Sequence, residues 1–297
     1  MAYDAPRPVL GAAIADLIPD EETRARADTW RFGWVTNIAA AVCGGAGAVL
    51  LSRVGIEPLF WANATACLLF AGAVWLRWPA SPARHVRTPR TPARTARIRG
   101  PFRVDRRLLL FASSSLATLT ALMGVFSVLP LIMTQRGLSG AAFGTAQFVN
   151  ALAAIALTAV LGPLLRRRAG NRPLTGLVAV ASVWVGISMA AACAAGGLPW
   201  ICAALALCAP AEIAWFIAAS HTLNRISPPD RRGLYQGVWG ASLATASLTA
   251  PLLGTWCLTS GGPALLIAAN VGAGALGAVL CLPLGRDAAR GAPGRSA

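Results

Sequence analysis

The chain has 297 residues, of which 56% are hydrophobic and 12% charged, and its formal net charge is +15. Soluble domains average roughly half apolar and a quarter charged residues, so this composition excludes an ordinary water-soluble fold. Every basic residue is Arg. Because the chain has no Lys, it also lacks the Lys-containing phosphate loop with which ATP-driven transporters bind nucleotide.

The apolar residues are grouped in blocks of about 20 or more, which is enough for a helix to cross a hydrocarbon layer of roughly 30 Å. The predicted spans are residues 30–52, 59–78, 108–133, 141–165, 173–195, 200–224, 234–259 and 263–284. The sequence therefore predicts an all-α integral membrane protein with eight full crossings.

Arginines mark the connectors between these blocks, and they do so on alternate connectors. The basic segments are residues 24–31, 77–107, 166–172, 225–232 and 286–295. Only Arg53 and Arg136 lie on the opposite side. The positive-inside rule places the basic set in the cytoplasm. We therefore expect a multi-pass protein of the inner (cytoplasmic) membrane with a cytoplasmic C-terminus.

The longest connector, residues 79–105, is rich in Pro and Arg and has no apolar periodicity. This composition predicts a mobile cytosolic linker. Its arginines would bind either RNA or anionic lipid head groups. Because a basic run beside a membrane span more commonly contacts lipid, membrane lipid is the expected partner and nucleic acid is not.

An internal repeat relates the first pair of spans to the last pair. Residues 19–24 precede one pair and residues 228–232 precede the other, and Arg24 falls opposite Arg232 when the two are aligned. Both copies begin on the cytoplasmic side. A parallel repeat of this kind is typical of transporters built from two similar bundles.

Four stretches carry a family resemblance: residues 7–19, 59–63, 162–167 and 227–237. In their order and spacing they resemble the major facilitator superfamily, especially its drug:proton antiporter branch. The resemblance implies a major facilitator-type helical bundle, with the chain beginning near the fourth of twelve helices. It implies a partial N-terminal bundle at 1–78, a linker at 79–107, a complete C-terminal six-helix half at 108–284 and a tail at 285–297.

Two departures from the family pattern concern helix breaks and charge. The fifth helix of such antiporters carries a Gly-Pro, whereas residues 43–48 of this chain are small without a proline. Pro251 and Gly254 keep the related pattern later in the chain. Arg166 stands where the family commonly has an acid, which removes the charge relay that this loop implies.

An ionisable side chain inside a membrane span costs free energy, so each one is a candidate functional group. Glu212 lies within the span at 200–224, and Trp215 follows one turn later on the same face. We expect this face to line the cavity, with Glu212 loading and releasing a proton. A structural hydrogen bond from Glu212 to a neighbouring helix is the alternative.

Other polar residues extend the candidate pathway. Gln147 and Asn150 are three positions apart and either line a cavity or bond a neighbouring helix. His221 and Asn224 lie near the cytoplasmic end of their span, where an interfacial role is the alternative. Asp4 and Arg7 fall opposite the Glu212 region in the repeat.

Small residues are expected to let helices approach closely and to take part in the conformational change. The candidates, together with Pro251, are Gly44, Gly47, Gly233, Gly237 and Gly254. The two histidines and seven cysteines do not form the spacings of a zinc site or a catalytic triad. We therefore expect no enzyme activity, no metal and no cofactor.

Two functional hypotheses remain. The first is a secondary transporter that exports small amphipathic compounds in exchange for protons by alternating access, with the substrate class implied by the resemblance alone. The second is a truncated, non-transporting remnant or membrane scaffold of a transporter, because three helices of the family pattern would be missing.

Overall fold

The computed structural model describes residues 20–77, 105–168, 174–228 and 231–290, together with the single residues 14 and 18. Every regular element in these ranges is helical, so the predicted all-α fold is confirmed. In chain order the elements are α1 (Glu21–Asp28), a π-helical segment (Thr29–Val35), α2 (Thr36–Val54), α3 (Glu57–Arg77), α4 (Arg106–Gln135), α5 (Gly140–Arg168), α6 (Thr175–Ala194), α7 (Leu198–Ile226), α8 (Arg232–Ser260) and α9 (Gly262–Arg290).

Seven of the described helices, α3 to α9, are long and apolar enough to cross a membrane. They coincide with the last seven predicted spans. The first predicted span, residues 30–52, is helical throughout but is not among the seven. It consists of most of the π-helical segment and nearly all of α2, where Thr36 and Asn37 interrupt the apolar sequence.

Some helices run beyond the predicted spans. α5 continues to Arg168 and α9 continues to Arg290, although the spans were predicted to end at Leu165 and Leu284. Arg and Ala are good helix formers, so a helix that leaves the hydrocarbon need not stop there. Most of the predicted linker lies outside the described residues, and α4 begins at its C-terminal end, with Asp105 capping the helix.

Helices α4 to α9 pack into one bundle. The most extensive contacts are those of α9 with α6, α4 with α8, and α7 with both α6 and α5. Phe111, Val185, Leu205 and Trp215 lie fully buried at its centre. Outside this bundle, α2 packs along α5. α3 makes few contacts, and its Trp75 is 88% exposed.

Glycines permit the closest helix contacts. A Cβ at Gly186 of α6 would lie 2.6 Å from the Asn270 carbonyl oxygen of α9, and one at Gly274 would lie 2.6 Å from the Ser182 carbonyl oxygen. Between α2 and α5, a Cβ at Gly44 would lie 3.2 Å from the Gly144 carbonyl oxygen. Only glycine allows these backbones to approach so closely.

The glycines predicted to pack fall into two groups. Gly44 and Gly254 lie in close contacts, and a Cβ at Gly254 would lie 2.2 Å from Val128 Cγ2. At Gly47, Gly233 and Gly237 a Cβ would meet nothing within 4 Å, so no close helix contact accounts for them. Pro251 lies in the interior of α8, where it lacks the N–H of a helical hydrogen bond.

Candidate functional site

A small cavity of about 70 Å³ opens where five helices meet. We call it the polar cavity. α2, α4, α5, α6 and α7 all contribute to its wall. The polar residues that line it are Thr36, Asn37, Gln147, Asn150, Cys208 and Glu212, and the apolar ones are Ala40, Leu122, Val125, Phe126, Met189 and Leu205.

Glu212 supplies the only carboxyl group among these lining residues, and none of them is basic. Its side chain is partly buried on α7. The Asn150 side chain of α5 donates a hydrogen bond to the Glu212 carboxyl. The Asn150 Oδ1 atom is buried and accepts no hydrogen bond from the described residues. An acceptor without a donor therefore lies beside the acid.

The structure brings Glu212, Gln147 and Asn150 together although the sequence predicted them separately. Gln147 and Asn150 are one turn apart on α5, so both reach the same cavity from one helix face. In this bond Glu212 is the acceptor, whereas the alternative prediction was a bond that Glu212 itself donates to a neighbouring helix, so that alternative stays a prediction.

Trp215 does not line the polar cavity, contrary to the expected shared face with Glu212. Its side chain is 1% exposed, and its Nε1–H donates a 3.1 Å hydrogen bond to Ser182 Oγ of α6. The Phe216 ring packs edge-on against it. Three residues advance a helix by about 300°. The remaining 60° turns Trp215 into the bundle core, because α7 is enclosed by neighbours on several sides.

The other predicted pathway residues lie away from this cavity or outside the described ranges. His221 and Asn224 lie near the C-terminal end of α7, and neither lines the cavity. Asn224 Oδ1 accepts a 3.1 Å hydrogen bond from Gln236 of α8. Asp4 and Arg7 lie outside the described residues.

Thr36 and Asn37 are cavity residues that the sequence reasoning did not select. Asn37 Nδ2 donates to the carbonyl oxygens of Phe32 (2.9 Å) and Gly33 (3.0 Å), and Thr36 Oγ1 donates to that of Arg31 (2.7 Å). These bonds satisfy carbonyls of the π-helical segment. π turns inside α-helices are frequent at functional sites. The adjacent polar pair inside a predicted span was the available signal.

A second polar contact joins α1 to α7 outside the cavity. Ser220 Oγ donates a 2.7 Å hydrogen bond to Asp28 Oδ2, and both residues are buried. Desolvation raises the pKa of Asp28 above its ordinary value, while the Ser220 hydrogen bond and the nearby Arg31 and Arg24 oppose that shift. Asp28 lies just before the predicted span at 30–52, so its position outside the apolar block gives no sign of its burial.

The described residues contain no group of three or more His, Cys, Asp or Glu side chains arranged to hold a metal ion. The polar groups that line the polar cavity are the Glu212 carboxyl, three side-chain amides, the Thr36 hydroxyl and the Cys208 thiol. Such a set can hold a proton, accept hydrogen bonds from a ligand and attract a cation.

Comparison with known proteins identifies the family. Residues 1–208 match the sequence model of the Major Facilitator Superfamily. No curated protein matches the chain. The matched residues make up more than half of the chain, and they include α3 to α6, whose length and composition suit membrane crossing. The chain thus belongs to the Major Facilitator Superfamily and is a multi-pass membrane transporter.

Proposed function

We propose that this transporter exports small amphipathic compounds in exchange for protons, and that Glu212 is the group that carries the proton. The observation that carries the proposal is the position of Glu212, a lone carboxyl at the wall of a cavity between five helices. Charged groups at membrane depth are costly and are retained mainly for function. A carboxyl that alternates between protonated and ionised forms can couple proton movement to the exchange of a substrate.

The arrangement of helices around the cavity supports alternating access. α2 belongs to the proposed N-terminal part, at residues 1–78, and α4, α5, α6 and α7 belong to the proposed C-terminal six-helix bundle at 108–284. A cavity between the two parts opens to one side or the other when they rock against each other. Glu212 lines the cavity from α7, and Thr36 and Asn37 line it from α2.

The arginine pattern supports the proposed orientation in the inner membrane, with the C-terminus in the cytoplasm. Arg106 and Arg107 lie at the start of α4, and Arg225 lies in the last turn of α7. Arg53 and Arg136, at the ends of α2 and α4, lie on the opposite side. The drug:proton antiporter branch is proposed from the resemblance of the sequence stretches described above.

Transport by purified protein in liposomes tests the proposal. Vesicles loaded with ethidium, an amphipathic cation, would be given an inside-acid or an inside-alkaline pH gradient, and dye movement would be followed by fluorescence. We expect the wild-type chain to move dye against a proton flux. Glu212→Gln keeps the size and hydrogen-bonding capacity of the side chain but cannot ionise, so gradient-driven movement should fall to the level of empty vesicles.

Glu57→Gln is the matched control, because Glu57 is an exposed acid at the start of α3 and lies outside the cavity. It should transport like the wild type. Full gradient-driven activity in Glu212→Gln would exclude the coupling role of this residue. Wild-type vesicles that never move dye would instead favour the non-transporting scaffold hypothesis.

A further inference from the structure

Two sulfur atoms belong to the wall of the polar cavity, in addition to its carboxyl group. Cys208 of α7 and Met189 of α6 both line the cavity. α6 and α7 share one of the most extensive helix contacts in the bundle, and the Cys208 thiol is not part of a disulfide. The cavity therefore combines a thiol, a thioether and a carboxyl group in one small space.

Cys208, Glu212 and Asn150 are neighbours within this wall. Cys208 lies one helical turn before Glu212, so both side chains leave α7 on the same face. Cβ atoms four residues apart on a helix are about 5–6 Å from each other, and Glu212 is close enough to Cys208 to act on it electrostatically. Asn150 reaches the same carboxyl from α5 through its hydrogen bond. Donor atoms from three helices, with Met189 on α6 included, therefore meet around the cavity.

The charge of the lining favours a cation over an anion. Glu212 supplies the one carboxyl among the described lining residues, and none of them is Arg or His. At membrane depth the surroundings are of low dielectric constant, so the attraction between a carboxylate and a cation is much stronger than it is in water. An anion would meet the same carboxylate without a basic group to offset the repulsion.

The size of the cavity favours a small ion. A volume of about 70 Å³ is comparable with the space that two water molecules occupy, at about 30 Å³ each in the liquid. A metal ion fits into this space while the helices stay where they are. An amphipathic organic compound is larger and needs the helices to move apart first.

The two sulfur atoms favour a soft cation. Thiolate and thioether ligands select soft ions such as Cu(I), whereas carboxylate, carbonyl and water ligands suit Mg²⁺, Ca²⁺ and Mn²⁺. Imidazole, the ligand that suits Ni²⁺ and Cu(II), is missing from the described lining residues. The donor set therefore differs from that of a hard-cation site, which would be made of oxygen atoms alone.

We infer that the polar cavity binds a soft monovalent metal ion, Cu(I) or Ag(I), between the sulfur atoms of Cys208 and Met189, beside the Glu212 carboxyl. A thiol that coordinates a metal loses its proton. The S–H bond of Cys208 breaks, the bond from sulfur to the metal forms, and the proton leaves to water. One positive charge enters as another leaves, so the net charge of the site does not change.

The test titrates Ag⁺, as the nitrate in chloride-free buffer, into the purified full chain in detergent and follows the heat of binding. Other thiols also bind Ag⁺, so the parent chain keeps Cys208 alone. It carries six substitutions: Cys43→Ala, Cys67→Ala, Cys193→Ala, Cys202→Ala, Cys257→Ala and Cys281→Ala. We expect this parent to bind one Ag⁺ per chain, and the further change Cys208→Ala to abolish the binding.

Met189→Leu separates a site with two sulfur ligands from a lone reactive thiol. Exchange of Met for Leu conserves side-chain volume and is well tolerated in packed cores. It should weaken Ag⁺ binding by at least about tenfold, since removal of even an outer partner of a metal ligand has that effect. Met133→Leu is the matched control, because Met133 is equally buried, on α4, and does not line the cavity. It should bind Ag⁺ like the parent.

Equal affinities in Met189→Leu and Met133→Leu would overturn the inference, since Ag⁺ would then be held by the thiol alone. A parent that binds no Ag⁺ would overturn it too. Displacement of Ag⁺ by a large excess of Na⁺ would also contradict it, because that result indicates an oxygen site. If the parent does not fold, the two methionine variants are compared in the wild-type chain, where only Met189→Leu should weaken one of the bound ions.

This inference goes beyond the proposed function, because equilibrium binding in detergent requires no transport. Ag⁺ binding that depends on Met189, found together with vesicles that show no proton-driven dye movement, would support the metal site and contradict the coupling. Dye movement that depends on Glu212, found together with equal Ag⁺ affinities in the two methionine variants, would support the coupling and exclude the metal site.

Discussion

Asp28 on α1 accepts a 2.7 Å hydrogen bond from Ser220 on α7, a residue 192 positions later in the chain. The two side chains are only 6% and 4% exposed. This hydrogen bond between two buried side chains links α1, which leads into α2, to α7 of the C-terminal bundle. Desolvation is the largest influence on the pKa of Asp28 and raises it above its ordinary value of 3.8. The contribution of Asp28 to the stability of the fold therefore depends on pH.

The first prediction concerns that pH dependence. An acid with a raised pKa in the folded protein contributes stability that is fully present below pH 3.8 and is lost as pH rises through the raised value. Asp28→Asn keeps an oxygen for Ser220 but cannot ionise. We expect its melting temperature, followed by tryptophan fluorescence in detergent, to exceed that of the wild type at neutral pH and to change less between pH 4 and 7.

Asp20→Asn is the control for this measurement. Asp20 is exposed, and hydrogen bonds from Thr23 hold its pKa below the ordinary value of 3.8. Any change in stability that comes from its ionisation is therefore confined to pH values near and below 3.8. Asn also serves well as a helix N-cap. This variant should follow the wild-type curve from pH 5 to 8. A wild-type pH profile in Asp28→Asn would contradict the prediction.

The second prediction concerns Asp105 and Tyr235, which join the start of α4 to α8. Tyr235 OH donates a 2.5 Å hydrogen bond to Asp105 Oδ2, and the Arg107 backbone N–H donates to Oδ1 at 2.9 Å. Tyr235→Phe should lower the free energy of unfolding by about 1 kcal/mol. Asp105→Ala should lower it by about 1–2 kcal/mol more, since it removes the helix cap as well.

The same pair carries a pH dependence of opposite sign to that of Asp28. Burial acts to raise the pKa of Asp105, but the hydrogen bonds from Tyr235 and Arg107 and the nearby guanidinium groups outweigh it, so the pKa lies below 3.8. The stability it contributes is present above that value and is lost as pH falls through the lowered pKa. The difference between Tyr235→Phe and wild type, measured by urea unfolding, should therefore shrink in strong acid; a constant difference would argue against the pairing.

The third prediction concerns the closest helix contact, between Gly186 of α6 and Gly274 of α9. A methyl group at either position would lie 2.6 Å from a backbone carbonyl oxygen of the other helix, and backbone cannot move aside like a side chain. Either glycine-to-alanine variant should therefore destabilise the bundle by about 1–3 kcal/mol. Thermal aggregation in detergent measures the effect.

Gly272→Ala, two residues from Gly274 on the same helix, is the control because its Cβ would meet open space. It should be as stable as the wild type or slightly more so, since Ala favours a helix. Equal loss in all three variants would mean that glycine flexibility, and not the close approach of α6 and α9, is what matters.

The fourth prediction concerns the π-helical segment beside the polar cavity. Asn37→Ala removes the donor to the Phe32 and Gly33 carbonyl oxygens, whereas Thr36→Ala removes only the donor to Arg31. Asn37 is buried and Thr36 is exposed. We expect Asn37→Ala to lose about 1–3 kcal/mol and Thr36→Ala clearly less. The reverse order in melting temperature would show that the Asn37 bonds do not hold the segment.

The amino-acid sequence by itself determined the class of protein and the position of the spans. Hydrocarbon requires a spanning backbone to satisfy its own hydrogen bonds, so the length of an apolar block is enough to predict a helix there. The same cost of polar groups in hydrocarbon made Glu212, Gln147 and Asn150 identifiable one at a time. These inferences depend on local composition alone, and the structure places all three residues at one cavity.

Only the tertiary structure decided which side of each helix faces which neighbour. α7 is apolar on nearly all sides, so its sequence has no polar face to show that Glu212 turns to the polar cavity while Trp215 turns to Ser182. The approach of Gly186 to Gly274 likewise arises from the rotation and spacing of packed helices. These features are set by side-chain volumes on several helices at once, a property that no single stretch of sequence contains.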